Sequence, residues 1–235
     1  MCGRFTLRTP IKDVAAVFDA SADGVADTLP LFAHFNIAPT QQIVAVRADS
    51  SGKGRQLVPL RWGLVPSWAD DPSIGNRMIN ARADTVASKP SFRAAFKSRR
   101  CLVVADGFYE WQKRGATKQP YLIGMRDGGP FAFAGLWEHW RRDDQTIESC
   151  TIITTDANEL MQPLHDRMPV ILPPAEYASW LDPRPDRGEV LQRLLRPYPS
   201  EEMRAYPVST VVNNPRNDVP QCVEPLPAGG ASPAG

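Results

Sequence analysis

Cys101-Leu102-Val103-Val104-Ala105-Asp106-Gly107-Phe108-Tyr109-Glu110-Trp111 sets the fold class of this chain. Its first half is an unbroken apolar run, as a strand buried on both faces requires. Asp106-Gly107 is a turn dipeptide. The aromatic segment after it reads as the next strand. Side chains alternate along a strand, so Glu110 faces opposite to Tyr109 and Trp111.

Strands dominate on either side. Residues 42–47 and 56–62 flank a Ser/Gly/Lys turn at 50–54 and predict a hairpin, in which Pro59 marks an edge or a bulge. Further strands are expected at 121–125, 131–136, 149–154 and 206–212. The expected helices are short. Thr9 as N-cap and Pro10 at the first helical position open one, with Ile11, Val14, Ala15 and Phe18 on a single face. A basic helix over 91–100 places Phe92, Ala95 and Phe96 together, a capped start at 156–159 ends near Pro163, and two helices follow at 174–181 and 187–196. Residues up to Leu29 read as loop, 34–40 as irregular, 63–90 as a long loop that carries Trp68, and 164–170 as loop. The sum is an α+β, β-rich single domain. Its mixed and antiparallel sheet forms a barrel-like core flanked by short helices. The domain spans 1–225, and the Pro/Gly/Ala/Ser tail at 226–235 is expected to be disordered.

Composition limits function. The chain has 235 residues, 43% of them hydrophobic, enough for a sizeable core, and its 23 prolines favour turns over long helices. A net charge of +1 gives no global attraction to nucleic acid, so such a site must be a local patch. No apolar run suits a membrane span and no secretory signal is visible. Cys2, Cys101, Cys150 and Cys222 are widely spaced, and His34, His139 and His165 do not cluster. This argues against zinc and against a disulfide framework, and it predicts a reduced, cytoplasmic monomer with no cofactor or metal.

Several residues could carry chemistry, each with a plainer reading beside it. Cys2 is a small buried hydrophobe, or, once Met1 is removed, a terminal aminothiol. Its α-amine and thiol have reference pKa values of about 7.7–8.0 and about 8.5, so both are partly deprotonated near neutrality. An amine condenses with an aldehyde, and the adjacent thiol can close the imine to a thiazolidine. Glu110 is a solvent-facing residue or an enclosed carboxyl fitted for proton transfer. His165, beside Asp166 and Arg167, is a turn residue or an acid–base group. Asn80 and Arg82 suit an Asx-turn and a surface cation, or a hold on a sugar oxygen and a phosphate fork. Trp62 reads as core, whereas Trp68, in the loop, suits stacking on an unpaired base. Arg77, Arg82, Lys89, Arg93, Lys97, Arg99 and Arg100 form a solvated face or a phosphate-tracking patch.

Together the motifs resemble one family. They are Met1-Cys2-Gly3-Arg4-Phe5, Phe35-Asn36-Ile37-Ala38-Pro39-Thr40, Trp62-Gly63-Leu64-Val65-Pro66 and Ile79-Asn80-Ala81-Arg82. Ala105-Asp106-Gly107-Phe108-Tyr109-Glu110-Trp111, His165-Asp166-Arg167-Met168-Pro169, Val208-Ser209 and Val212-Asn213-Asn214 complete the set. The chain is similar to the SOS-response-associated peptidases, also called abasic-site processing proteins, from Met1 to about Pro225. The resemblance implies a covalent sensor of abasic sites in single-stranded DNA, nucleoid-associated when bound, with self-processing of the terminal methionine. It implies Cys2 as nucleophile, with Asn80, Glu110 and His165 as the other active-site positions. It also implies DNA-backbone contacts at Arg4 and Arg82, beside which Trp68, Arg77, Pro39 and Thr40 are further candidate DNA contacts. The family usually carries Glu two residues after the second arginine, where this chain has Asp84. Two rivals fit the residues alone: an N-terminal-nucleophile amidohydrolase using Cys2, and a non-catalytic single-strand-binding module built on Trp68 and the arginines.

Overall fold

The computed structural model describes residues 2–23, 33–49, 51–52, 54–184 and 187–227. In chain order the strands and helices are β1 (Phe5–Leu7), α1 (Ile11–Phe18), β2 (His34–Ile37), β3 (Gln42–Ala48), β4 (Arg55–Trp62), β5 (Asn80–Arg82), α2 (Arg93–Ser98) and β6 (Arg100–Ala105). They continue as β7 (Gly107–Arg114), β8 (Thr117–Met125), β9 (Phe131–Arg142), β10 (Gln145–Asp156), β11 (Arg167–Pro169), β12 (Ile171–Leu172), α3 (Tyr177–Leu181), α4 (Gly188–Leu194) and β13 (Met203–Pro207).

Strands β10, β4, β3, β6 and β9 pair in that order, and β9 pairs back to β10, so the ring closes into a barrel. The β10–β4 contact is parallel, and the other four pairings of the ring are antiparallel. A second sheet, ordered β13-β8-β7-β1-β2, packs on this barrel. The packing is aromatic. Phe5 of β1 meets Trp62 and Phe133 edge-on with ring centroids 5.1 and 6.0 Å apart, and Phe108 of β7 meets Phe133 at 5.8 Å. Each such ring, fully buried, contributes about 1.5–3 kcal/mol from burial alone. The expected β-rich α+β domain with a barrel-like core is therefore the observed one.

Asp106-Gly107 does not make a hairpin. β6 is flanked by β3 and β9, while β7 is flanked by β1 and β8, so neither has an edge left for the other. The dipeptide instead carries the chain from barrel to sheet. Gly107 is needed there: a Cβ would lie 2.9 Å from Thr6 Oγ1 and 3.0 Å from Leu122 Cδ1. The Asp106 carboxylate fixes the crossing by accepting from Thr6 Oγ1, Arg8 Nε, Thr9 Oγ1 and the backbone N–H groups of Arg8 and Thr9.

Other expectations were shifted by tertiary partners. Thr9 is not a helix cap, because its hydroxyl serves Asp106; Pro10 takes the N-cap position with no side-chain bond. Residues 34–40 are not all irregular, since β2 forms against β1. Residues 164–170 likewise contain β11, drawn into pairing by β10. No helix forms after Asp156: the carbonyl of Asn158 accepts from Met161 and Gln162, and Pro163 has no N–H to continue the turn. The late strand ends at Pro207 and gives way to a short 3-10 turn over Thr210–Asn213. Pro59 sits opposite Val44 where β10 is absent, since β10 reaches only Arg61 and Trp62, so an edge position accommodates it. The loop expected up to Leu29 and the tail expected at 226–235 lie largely outside the described residues. Among the described residues no helix is long and apolar enough to cross a membrane.

Candidate active site at Cys2

Cys2 lies three residues before Phe5, just ahead of β1, which pairs between β7 and β2 in the second sheet, and is fully buried. Burial first, and the nearby Glu110 carboxyl second, push its thiol well above the usual cysteine value. The thiol is therefore protonated near neutral pH. Its sulfur lies 3.9 Å from the Arg4 carbonyl oxygen.

Asn80 opens β5, which pairs in parallel with Ile152–Thr154 of β10. This pairing aims Asn80 at Cys2: its Nδ2 donates to the Cys2 carbonyl oxygen at 3.0 Å. Its Oδ1 is buried and has no hydrogen-bond partner among the described residues.

Glu110 is 3% exposed, so the solvent-facing reading is overturned. In β7 it shares a face with Phe108, which packs between sheet and barrel. Desolvation raises its carboxyl above the ordinary value, and the nearby His165 opposes that rise. Glu110 thus interacts electrostatically with both Cys2 and His165. His165 follows the turn that leaves β10 and precedes β11. The four residues singled out as catalytic candidates, from four separate parts of the chain, are linked in a row: Asn80 to Cys2, Cys2 to Glu110 and Glu110 to His165.

The residues singled out for DNA are more dispersed. Arg82 is exposed and engages Asp84 through both arms, Nε to Oδ1 at 3.1 Å and Nη2 to Oδ2 at 2.8 Å. That hydrogen bonding raises Arg82 and lowers Asp84 from their ordinary pKa values. Arg4 is half-buried, donating to Asn36 Oδ1 at 2.9 Å and to the Val212 carbonyl at 3.1 Å. Trp68 is 58% exposed and, with Arg77, lines a shallow cavity of about 280 Å³. Trp62 is core, its indole N–H bonded to the Ile79 carbonyl. Pro39 is partly exposed and Thr40 exposed, with Thr40 at φ 76° and its N–H on the Trp62 carbonyl. A β-branched residue in that region is strained by roughly 1–3 kcal/mol. The long loop that carries Trp68 doubles back because Gly63, at φ 126°, lets the Gly75 carbonyl lie 2.5 Å from where a Cβ would stand.

The proposed phosphate-tracking run is smaller than its sequence suggests. Arg100 is 3% exposed and donates to the carbonyls of Phe96, Trp180 and Asp182, so it is a core residue. Arg99 pairs with Glu138. Arg77, Lys89, Arg93 and Lys97 are exposed. Sequence reasoning missed Asn36 and Asn213 as supports of Arg4, and Thr154 and Asp156 as supports of Arg167. These are long-range pairings with no local pattern.

A family model described as SOS response associated peptidase (SRAP) matches residues 1–215. The chain belongs to the SRAP family. A SRAP relative from Bacillus subtilis (strain 168), the abasic site processing protein YoqW, is 44% identical over 226 residues, covering 95% of this chain and 99% of that one. The abasic site processing protein HMCES of Gallus gallus is 38% identical over 209 residues, covering 78% of this chain and 62% of that longer one. The SRAP chain also superposes on a crystal structure of a protein from Bacteroides thetaiotaomicron with a TM-score of 0.87 at 29% identity, covering 96% and 100% of the two chains.

Proposed function

We propose that this SRAP protein captures abasic sites in single-stranded DNA by a covalent bond to Cys2, after removal of Met1. The observation that carries the reading is the grip of Asn80 on the Cys2 carbonyl beside the buried Glu110. The relatives' names, which speak of abasic site processing, support the substrate.

In this reading an abasic deoxyribose, mostly a closed hemiacetal, meets Glu110. Burial favours the acid form of Glu110, so it can protonate the ring oxygen as the aldehyde opens. The raised thiol leaves little thiolate, so the Cys2 amine attacks C1′ first. Water leaves as the imine forms. The sulfur then bonds to C1′, and its proton ends on the nitrogen, giving a thiazolidine. His165 moves protons at the opened sugar, and Asn80 holds the residue that bears the amine. The ring removes the imine that would invite β-elimination, so the strand stays intact. Reversal runs slowly through the same groups.

Arg4 and Arg82 hold phosphates flanking the lesion, with Trp68 and Arg77 on a neighbouring base and Pro39-Thr40 lining the path. Self-processing of the Met1–Cys2 bond is the peptidase activity we assign to the same centre. The test is a denaturing gel of the purified protein with an abasic single-stranded oligonucleotide. A band that survives denaturation is expected for the natural chain and not for Cys2→Ala. No such band would support a non-covalent binding module, and glutamine hydrolysis in its place would support an amidohydrolase.

A further inference from the structure

His165 Nδ1 has two partners of opposite kind. The Arg167 backbone N–H donates to it at 3.0 Å, and the Asp166 carboxylate oxygen Oδ1 lies 2.6 Å from it. A ring nitrogen carrying a lone pair accepts; one carrying a proton donates. The amide can partner only the bare nitrogen and the carboxylate only the protonated one. The ring and the Arg167 amide are held in place. The His165 backbone N–H donates to the Met161 carbonyl. The Arg167 guanidinium is tied to Asp156 Oδ1 at 3.0 Å and to the Thr154 carbonyl at 2.5 Å. The Glu110 carboxyl faces the ring from β7, and Arg82 faces Asp166 from β5.

We infer that Asp166 is a positioning residue that converts His165 from a resting tautomer into a proton carrier. At rest the Arg167 amide holds Nδ1 bare, the ring proton sits on Nε2, and the ring can only donate a hydrogen bond. When Nδ1 is protonated it turns to Asp166, and Nε2 is then free to give up a proton and take one back. Nδ1 is committed to the protein in both forms, which leaves Nε2 for the sugar. The role of Nε2 rests on the proposed crosslinking reaction; the resting tautomer does not.

The test has two arms. Nitrogen-15 spectra of histidine-labelled free protein, recorded at about pH 9 where an unperturbed imidazole is neutral, read the tautomer; His165→Gln identifies the signals. A pyrrole-type Nε2 with a pyridine-type Nδ1 is expected, and the reverse would overturn the inference. In single-turnover crosslinking, Asp166→Ala is expected to lower the saturating rate about twofold to fivefold, the scale for a carboxylate that is 86% exposed. The DNA concentration for half-saturation should not move, and Asp166→Glu should recover part of the rate. An unchanged rate, or a change confined to half-saturation, would overturn it. If the natural protein forms no crosslink at all, the functional reading fails, while the spectra still decide the tautomer.

Discussion

Glu110 and Asn80 act on Cys2 by different physics, and each can be tested alone. Burial raises the folded carboxyl of Glu110 above its ordinary value. In the unfolded chain it ionises at about 4.3. The contribution to stability is therefore full below that pH and is lost as pH rises through the higher folded value. Glu110→Gln cannot ionise, so its stability relative to the natural chain should climb with pH. Urea midpoints of both proteins from about pH 4 to about pH 8 measure this, and a flat difference would contradict it. Asn80→Ala removes one hydrogen bond to a carbonyl, worth about 1 kcal/mol, and leaves the β5 backbone pairing in place. Its melting temperature should move little while its crosslinking rate falls about tenfold or more, because orientation is lost. A large drop in melting temperature with a normal rate would reverse the assignment.

At the scale of elements, the far end of β10 is the scaffold of the site. Ile152 to Thr154 hold β5 with Asn80 and Arg82; Thr154 and Asp156 hold Arg167, which in turn braces His165. Sequence periodicity placed this strand at 149–154, and the observed strand is Gln145–Asp156. Of the extra residues at its start, Gln145, Thr146 and Glu148 are polar and Ile147 is the lone apolar one, all exposed or half-buried, so local pattern does not mark them, and they pair because β9 continues alongside. Glu110, by contrast, was legible as a choice between two faces, and only the packing of sheet on barrel settled which. Asp84 governs the exposed end of β5. Its carboxylate occupies the fork of Arg82 that a phosphate would need. Asp84→Asn should tighten binding of undamaged single-stranded DNA. It should also steepen the logarithmic salt dependence by about 0.7, one more phosphate neutralised. Fluorescence anisotropy across a salt series measures both, and weaker binding would show that Asp84 orders Arg82 instead of masking it.

Across the whole molecule, a closed barrel is joined to a second sheet at one dipeptide. The apolar run of β6 and the aromatic run of β7 announced two strands, but not that they belong to different sheets. That outcome depends on which neighbours fill each edge, and those come from β1, β3, β8 and β9. Asp106 locks the junction and, through Thr6, Arg8 and Thr9, the strand that presents Cys2. Asp106→Ala leaves the buried Thr6 hydroxyl and the half-buried donors of Arg8 and Thr9 without their acceptor and should cost about 1.5–3 kcal/mol, read as a lower denaturation midpoint; a loss below about 1 kcal/mol would mean solvent replaces the carboxylate.

The central claim concerns one residue, and intact mass tests it most directly. The natural protein is weighed before and after reaction with an abasic single-stranded oligonucleotide, then digested to locate the bond. The expected result is a chain lacking Met1, then an adduct equal to that chain plus the oligonucleotide minus one water, mapped to Cys2. An adduct on any other residue, or one that persists in Cys2→Ala, would contradict the account.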